Sequence, residues 1–321
     1  MSQSESEPAS KRQWENANAG AVAGFATIAV LHPLDVVRTR FQVNEGRVTN
    51  LPVYKNTAHA ILTISRLEGL RGLYAGFAPA VIGSTISWGL YFFFYSRAKR
   101  RYSKNREEKL SASLHLAAAA EAGALVCLCT NSIWLVKTRQ LQTPLHQTQY
   151  CGIYDALRTI MREEGWSALY KGIVPGLLLQ VSHGAIQFTA YQDIRRVIVD
   201  FKSQERKQNS NSADNLLIIS SIFTQNSVDY AILGGSSKVA AILLTYPFQV
   251  IQSRLQQRPS KDGIPRYLDS WHVVKETARF EGFRGFYKGI TPNLLKNVPA
   301  ASITFVVYEN VLNLLRLARN S

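Results

Sequence analysis

One short element occurs three times in this chain: EGLRGLYAG at Glu68–Gly76, EGWSALYKG at Glu164–Gly172 and EGFRGFYKG at Glu281–Gly289. Three residues after each final glycine stands a proline: Pro79, Pro175 and Pro292. Nineteen residues after each stands a tyrosine: Tyr95, Tyr191 and Tyr308. Upstream, HPLDVVRTRFQ from His32 aligns with NSIWLVKTRQLQ from Asn131 and YPFQVIQSRLQ from Tyr246. A register held over so many positions means tandem copies of one structural unit, so the fold is built from three repeats.

Each repeat reads as helix, loop with a short helix, then helix. Residues 72–96 and 172–192 carry no charge and are clear membrane spans, long enough for the ~20 residues a helix needs to cross hydrocarbon. Asn16–Leu34 is a third uncharged run. The stretches 115–136, 229–251 and 290–308 each hold one mid-span charge, Glu121, Lys238 and Lys296. Such a charge costs roughly 2.5–3.5 kcal/mol at the bilayer centre, so these helices should turn it to a wet interior. Pro33, Ser132 and Pro247 are expected to break or kink the odd helices, because proline removes an amide donor. The glycines before Pro79, Pro175 and Pro292 suit helix starts. Gly20 and Gly24 form a GxxxG that would let helix backbones approach closely.

The expected boundaries are a polar tail 1–13, repeats 14–102, 111–202 and 228–319, and a polar insertion 203–227 with SQERKQNSNSADN expected to be disordered. The tail contains Glu5 and Glu7 and lacks the pattern of a secretory signal, so any organelle address is expected within the mature chain. The net charge of +15 fits anionic lipid, an anionic solute or nucleic acid. With no Cys/His finger and no long basic helix, nucleic acid is set aside as a partner. Cys127 and Cys129 lie in an apolar run and read as buried free thiols. No nucleophile–base pair, phosphate loop or metal-ligand spacing is present, so an enzyme, a metal site and a cofactor are not expected.

The odd-helix segments resemble the signature P-x-[DE]-x-x-[KR]-x-[KR]-x-Q of the mitochondrial carrier family, over about Trp14 to Arg319. The resemblance implies an all-α membrane protein: six transmembrane helices in a threefold pseudosymmetric barrel of three tandem two-helix repeats, both termini on the cytosol-facing side, working by alternating access as a monomer. It also implies a matrix-side gate in which the acid of one odd helix meets the base of the next. Here that gate comprises Asp35, Arg38 and Gln42, then Trp134 and Lys137, then Gln249, Gln252 and Gln256. One charged pair survives, Asp35 with Lys137; Arg38 should face Gln249, and Gln252 should face Trp134. The bracing glutamines are Gln42 and Gln256, whereas Leu141 stands where the second is expected, between Gln140 and Gln142. The opposite, cytosol-side gate comprises Ser96 and Lys99, Gln192 and Arg195, and Glu309, with Leu312 where a base is expected. Its charged pair would be Glu309 with Lys99, and Ser96 could bond Arg195. Gly76, Gly172 and Gly289 are expected to bind lipid, including anionic lipid, at the starts of the even helices.

Polar residues that differ between repeats at equivalent depth are the candidates for holding a solute. Counting twelve back from each tyrosine gives Gly83, Leu179 and Lys296, followed by Gln180, Asn297 and His183. Lys238 and Lys296 have no acidic neighbour in sequence and would attract an anion, although Lys238 could pair with Glu121. Trp88 and Tyr91 could stack on a flat ring. Folate, FAD and nicotinamide or pyrimidine nucleotides all fit this description. Trp134 in its motif, SWGLYFFFY at Ser87–Tyr95 and KNVPAASITFVVYEN at Lys296–Asn310 are similar to the folate/FAD-carrying subgroup of the family. That likeness implies folate transport across the chloroplast envelope inner membrane, with FAD or another nucleotide-type cofactor and the mitochondrial inner membrane as alternatives. A transport-inactive scaffold or proton leak is a more remote reading.

Overall fold

The structure, a computed structural model, describes residues 9–44, 54–103, 112–142, 150, 152–209, 227–259 and 266–320. The described residues form nine α-helices and two short 3-10 turns: α1 Ala9–Val43, α2 Thr57–Leu73, α3 Phe77–Ser103, α4 Ala112–Gln142, α5 Ile153–Glu163, the turn Trp166–Tyr170, α6 Ile173–Asn209, α7 Ser227–Leu255, α8 Ser270–Glu281, the turn Phe283–Tyr287 and α9 Ile290–Asn320. Each repeat is thus a long helix, a short helix and a second long helix; numbering the long helices alone, α1, α4 and α7 are the odd helices and α3, α6 and α9 the even ones. Among the described residues, four helices are long and apolar enough to cross a membrane, within Ala17–Val43, Phe77–Ser103, Ser113–Gln142 and Phe283–Leu315. The helix α6, expected as a clear span over 172–192, is not among the four, because Gln180, His183 and Gln187 dilute its apolar character.

Two boundaries differ from expectation. α1 begins at Ala9, so 9–13 belong to a helix and not to a tail, and α6 runs through 203–209, the first part of the expected insertion. Residues 1–8 and 210–226 lie outside the described residues. The odd helices do not break at these positions: α1, α4 and α7 each run as helix through Pro33, Ser132 and Pro247. At Pro33 a reason is visible. Proline cannot donate to the carbonyl four residues back, and the Tyr74 hydroxyl donates to that Ala29 carbonyl at 3.2 Å instead. Gly20 and Gly24 mark no close approach, since a Cβ at either would meet nothing within 4 Å. Cys127 is half-buried and Cys129 exposed; both thiols are free, and the expectation of burial fails for Cys129.

The chain divides into two compact units, Met1–Trp88 with Thr130–Gly172 and Val250–Ser321, and Gly89–Cys129 with Ile173–Gln249. The first unit repeats itself in its packing. Val36, Val37, Tyr54, Ala60 and Ile64 form one buried cluster. Leu135, Val136, Ala156 and Ile160 form a second, and Ile251, Tyr267 and Val273 a third. Each clamps a short helix to the C-terminal turns of an odd helix, and each fully buried large apolar side chain contributes about 1.5–3 kcal/mol. Asn56 and Asp269 cap α2 and α8 by accepting the amides of His59 and His272 at 2.8 and 2.7 Å. The equivalent Gly152 has no side chain to offer α5.

Two glycines per repeat turn the chain with positive φ: Gly69, Gly165 and Gly282, then Gly76, Gly172 and Gly289, all between 62° and 82°. L-residues with a Cβ rarely adopt this region, which explains why both glycines recur. At Gly76 space forbids a side chain as well, because a Cβ would stand 2.4 Å from Leu141 Cδ1. Pro79, Pro175 and Pro292 then sit in the first turns of α3, α6 and α9, where no amide donor is missed.

Candidate functional site

The C-terminal turns of α1, α4 and α7 carry three fully buried arginines, Arg40, Arg139 and Arg254. Each reaches the glutamate before the first turning glycine of its own repeat. Arg40 forks onto both oxygens of Glu68, and Arg139 onto both oxygens of Glu164. Arg254 gives one nitrogen to Glu281 at 2.9 Å and the other to the Thr277 hydroxyl at 2.7 Å. The remaining Nε always crosses to the next odd helix. Arg40 donates to the Leu141 carbonyl at 3.2 Å, Arg139 to Gln256 at 3.2 Å, and Arg254 to Gln42 at 3.0 Å. The three bonds close a cycle around α1, α4 and α7. Lys171 and Lys288 add ammonium contacts to Glu164 and Glu281 at 2.9 and 2.7 Å; repeat 1 has Ala75 in their place. Burial opposes ionisation of Glu164 and Glu281, but the arginine and lysine at each outweigh it and hold both below the ordinary value of 4.5.

Nearer the chain's start on α1 lies Asp35. Its carboxylate receives Lys137 of α4 at 3.3 Å, so the ion pair expected between these two residues is formed. Lys296 of α9 reaches both carboxylate oxygens at 2.7 Å, and Arg38 stands 3.8 Å away. Lys296 is therefore not the unpaired cation expected from sequence. Arg38 donates to Asn293 Oδ1 at 3.1 Å, a neutral partner on α9 where Gln249 was expected. Asn297, one turn on, donates to the Asn293 carbonyl and side-chain oxygens at 2.9 and 3.3 Å. Trp134 does not take Gln252 as its partner. Its indole N–H donates to Ser87 Oγ at 3.3 Å, and Lys137 lies 4.9 Å over its ring, a favourable cation–π placement. Gly83 makes room for this packing, since a Cβ there would stand 3.1 Å from Ile133 and 3.8 Å from the Trp134 ring. Gln252 lies against Gly172.

The glutamines expected as braces make bonds of their own. Gln42 Oε1 accepts from Ser253 Oγ at 2.7 Å, and Gln256 Nε2 reaches the Lys171 carbonyl at 3.4 Å. In repeat 2 Leu141 is buried against apolar neighbours, and Gln142 donates to the Ser253 carbonyl at 2.9 Å. One residue after the position where the motif places a glutamine, the Gln142 side chain thus crosses to α7.

Trp88 is exposed, and Tyr91 stacks on Tyr95 with centroids 5.9 Å apart. Gln180 packs against Gly123, where a Cβ would come within 3.0 Å of it. His183 Nδ1 lies 3.2 Å from Thr245 Oγ1. Glu121, considered for Lys238, takes Arg101 at 2.8 Å and the Tyr102 hydroxyl at 3.1 Å; Lys238 is half-buried. Ser96, Lys99, Arg195 and Glu309 are exposed and Gln192 half-buried. Gln249 is half-buried on α7.

The sequence profile described as mitochondrial carrier protein matches residues 9–106, 108–202 and 223–318. The chain belongs to the mitochondrial carrier family. Among proteins similar to this carrier is "Folate transporter 1, chloroplastic" of Arabidopsis thaliana, 74% identical over 95% of this chain and 96% of that protein. "Nicotinamide adenine dinucleotide transporter 1, chloroplastic" of the same plant is 37% identical over 97% of this chain and 95% of that protein. "Nicotinamide adenine dinucleotide transporter 2, mitochondrial", also from Arabidopsis thaliana, is 34% identical over 94% of this chain and 79% of that protein. All-α architecture in three two-helix repeats is thus the carrier fold.

The arginine cycle was missed as a site from sequence alone, although its signal was present. Arg40, Arg139 and Arg254, like Glu68, Glu164 and Glu281, are among the charged residues that all three copies keep, as are Arg66, Arg162 and Arg279. A residue preserved through every repeat serves the shared frame, and here it ties the short helices to a joint between neighbouring odd helices of the carrier.

Proposed function

We propose that this carrier moves folate, an anionic pterin derivative, across the chloroplast envelope inner membrane by alternating access, as a monomer and without enzymatic chemistry. The observation that carries the reading is the 74% identity, over nearly the whole of both chains, to a chloroplastic folate transporter. The site chemistry supports it: among the described residues, Asp35 is the one carboxylate paired with Lys137, Lys296 and Arg38, an excess of positive charge suited to an anion. In this reading Lys296 and Lys238 hold the glutamyl carboxylates, Trp88 and Tyr91 contact the pterin, and Gly83, Gln180, His183 and Asn297 shape the site. The Asp35 cluster with the braces Gln42, Gln142 and Gln256 forms the closed matrix-side gate. Lys99, Arg195 and Glu309, with Ser96 and Gln192, form the opposite gate. Gly76, Gly172 and Gly289 present helix starts to lipid headgroups, anionic ones included.

The relatives that carry nicotinamide adenine dinucleotide favour a second reading, a nucleotide-type cofactor as the solute. Uptake of radiolabelled folate, FAD and NAD+ into liposomes holding the purified carrier separates the two. Saturable folate uptake supports the first. Uptake of FAD or NAD+ with none of folate replaces it with the second, and collapse of a pH gradient without solute indicates a leak.

A further inference from the structure

The cluster at Asp35 is lopsided. One carboxylate faces three cations, and the tightest contact is not the one the gate motif supplies. Lys137 stands at 3.3 Å and Arg38 at 3.8 Å, whereas Lys296 touches both oxygens at 2.7 Å. Lys296 comes from an even helix, α9, at a depth where the three repeats differ in sequence. It is also the more accessible ammonium. Its side chain is 29% exposed, against 14% for Lys137 and 7% for Asp35. Lys296 thus holds the gate acid on one side while part of it faces solvent. Asn293 and Asn297 accompany it on the same helix face, and Asn293 also accepts from Arg38.

An ammonium has three donors and a compact charge, so it can leave one carboxylate for another at little geometric cost. An anionic group arriving from solvent meets Lys296 on its accessible side. Lys137 and Arg38 stay with Asp35, so the gate is loosened and not dismantled. We propose that Lys296 is shared in turn by gate and solute: it holds Asp35 while the carrier is empty and passes to the solute's anionic group on binding. Solute occupancy and gate release are then one exchange of ion-pair partners. A neutral solute cannot draw Lys296 away and does not open the gate. This rests on the proposed reading of the solute as an anion.

A double-mutant cycle on the full-length carrier in detergent tests the exchange, with dissociation constants for radiolabelled folate from equilibrium dialysis. Asp35→Asn frees Lys296 and tightens folate about tenfold, and Lys296→Gln weakens it about tenfold. In the double variant the gain from Asp35→Asn disappears, because no ammonium is left to release. The uncharged diester of folate shows no gain at any stage. Equal gains from Asp35→Asn with and without Lys296 overturn the proposal, since that is what simple repulsion between Asp35 and the solute would give.

A second measurement does not need an Asp35 variant. Ser253→Cys is placed in a background with serine at Cys127, Cys129 and Cys151, and its labelling by a maleimide is timed. Folate speeds labelling severalfold with Lys296 present, not with Lys296→Gln, and again with Lys296→Arg. An undiminished response in Lys296→Gln overturns the proposal. If the unaltered carrier binds FAD or NAD+ and not folate, the folate reading fails while the same cycle, run with that anion, still decides the exchange. Binding of uncharged solutes alone overturns both.

Discussion

Replacing Arg139 by methionine is the sharpest perturbation of the frame. Arg139 is fully buried, forks onto Glu164 and donates to the Gln256 carbonyl of the neighbouring odd helix. Methionine keeps most of the volume and removes all three bonds. Among the described residues Glu164 then keeps Lys171, and the carbonyl loses the Arg139 donor. Removing one partner of a buried pair costs about 3–5 kcal/mol, because a desolvated charge remains. At about 1.5 °C per kcal/mol for 321 residues, the detergent-solubilised carrier should unfold roughly 4–8 °C lower by intrinsic fluorescence. Adding Glu164→Gln removes the stranded charge and should recover about half the loss. The control is Arg101→Gln, where the arginine side chain is 59% exposed and that of Arg139 is buried, so its pair with Glu121 should matter by less than about 1 kcal/mol. If Arg139→Met melts within the range of Arg101→Gln, the arginine cycle does not hold the odd helices together and the reasoning fails.

Stability should also depend on acid in a defined direction. Glu164 and Glu281 are depressed below 4.5, so they stabilise the fold fully above that value. The contribution is lost as pH falls through their lower folded values, and the unfolding temperature of Glu164→Gln/Glu281→Gln should fall less steeply over that range. Gly76→Ala combines a φ of +68° with a contact to Leu141 and should destabilise by about 2 kcal/mol or more in thermal unfolding. Gly20→Ala meets nothing within 4 Å on a helix and should be neutral, or stabilising by up to ~1 kcal/mol. Trp134→Phe loses the bond to Ser87 but keeps a ring under Lys137, so its half-maximal solute concentration should shift less than that of Trp134→Ala.

The repeat architecture was legible because it is written locally. The recurring Glu-Gly, the second glycine, the proline and the tyrosine each serve one turn or helix start, so their spacing carries the fold without any tertiary knowledge. The Asp35–Lys137 pair was legible because both residues sit at fixed motif positions on consecutive odd helices. Lys296 was not, since its partner lies 261 residues away on a helix that the motif does not describe. The repeat-2 brace was obscured for a related reason. A motif counts residues, whereas the Gln142 amide has reach enough to make the crossing bond from one position later. Trp134 and Arg38 found neutral partners, Ser87 and Asn293, on even helices. Pairing rules confined to the odd helices could not name them.

The most direct test locks the joint between α1 and α7. Gln42 and Ser253 touch through their side chains at 2.7 Å, and both can be replaced by cysteine in a background without the native thiols. The account predicts that a short bifunctional thiol reagent across this pair stops folate uptake into liposomes, and that a disulfide there does so until it is reduced. Uptake by the cross-linked carrier at the rate of the unlinked one would mean that this contact is not a gate.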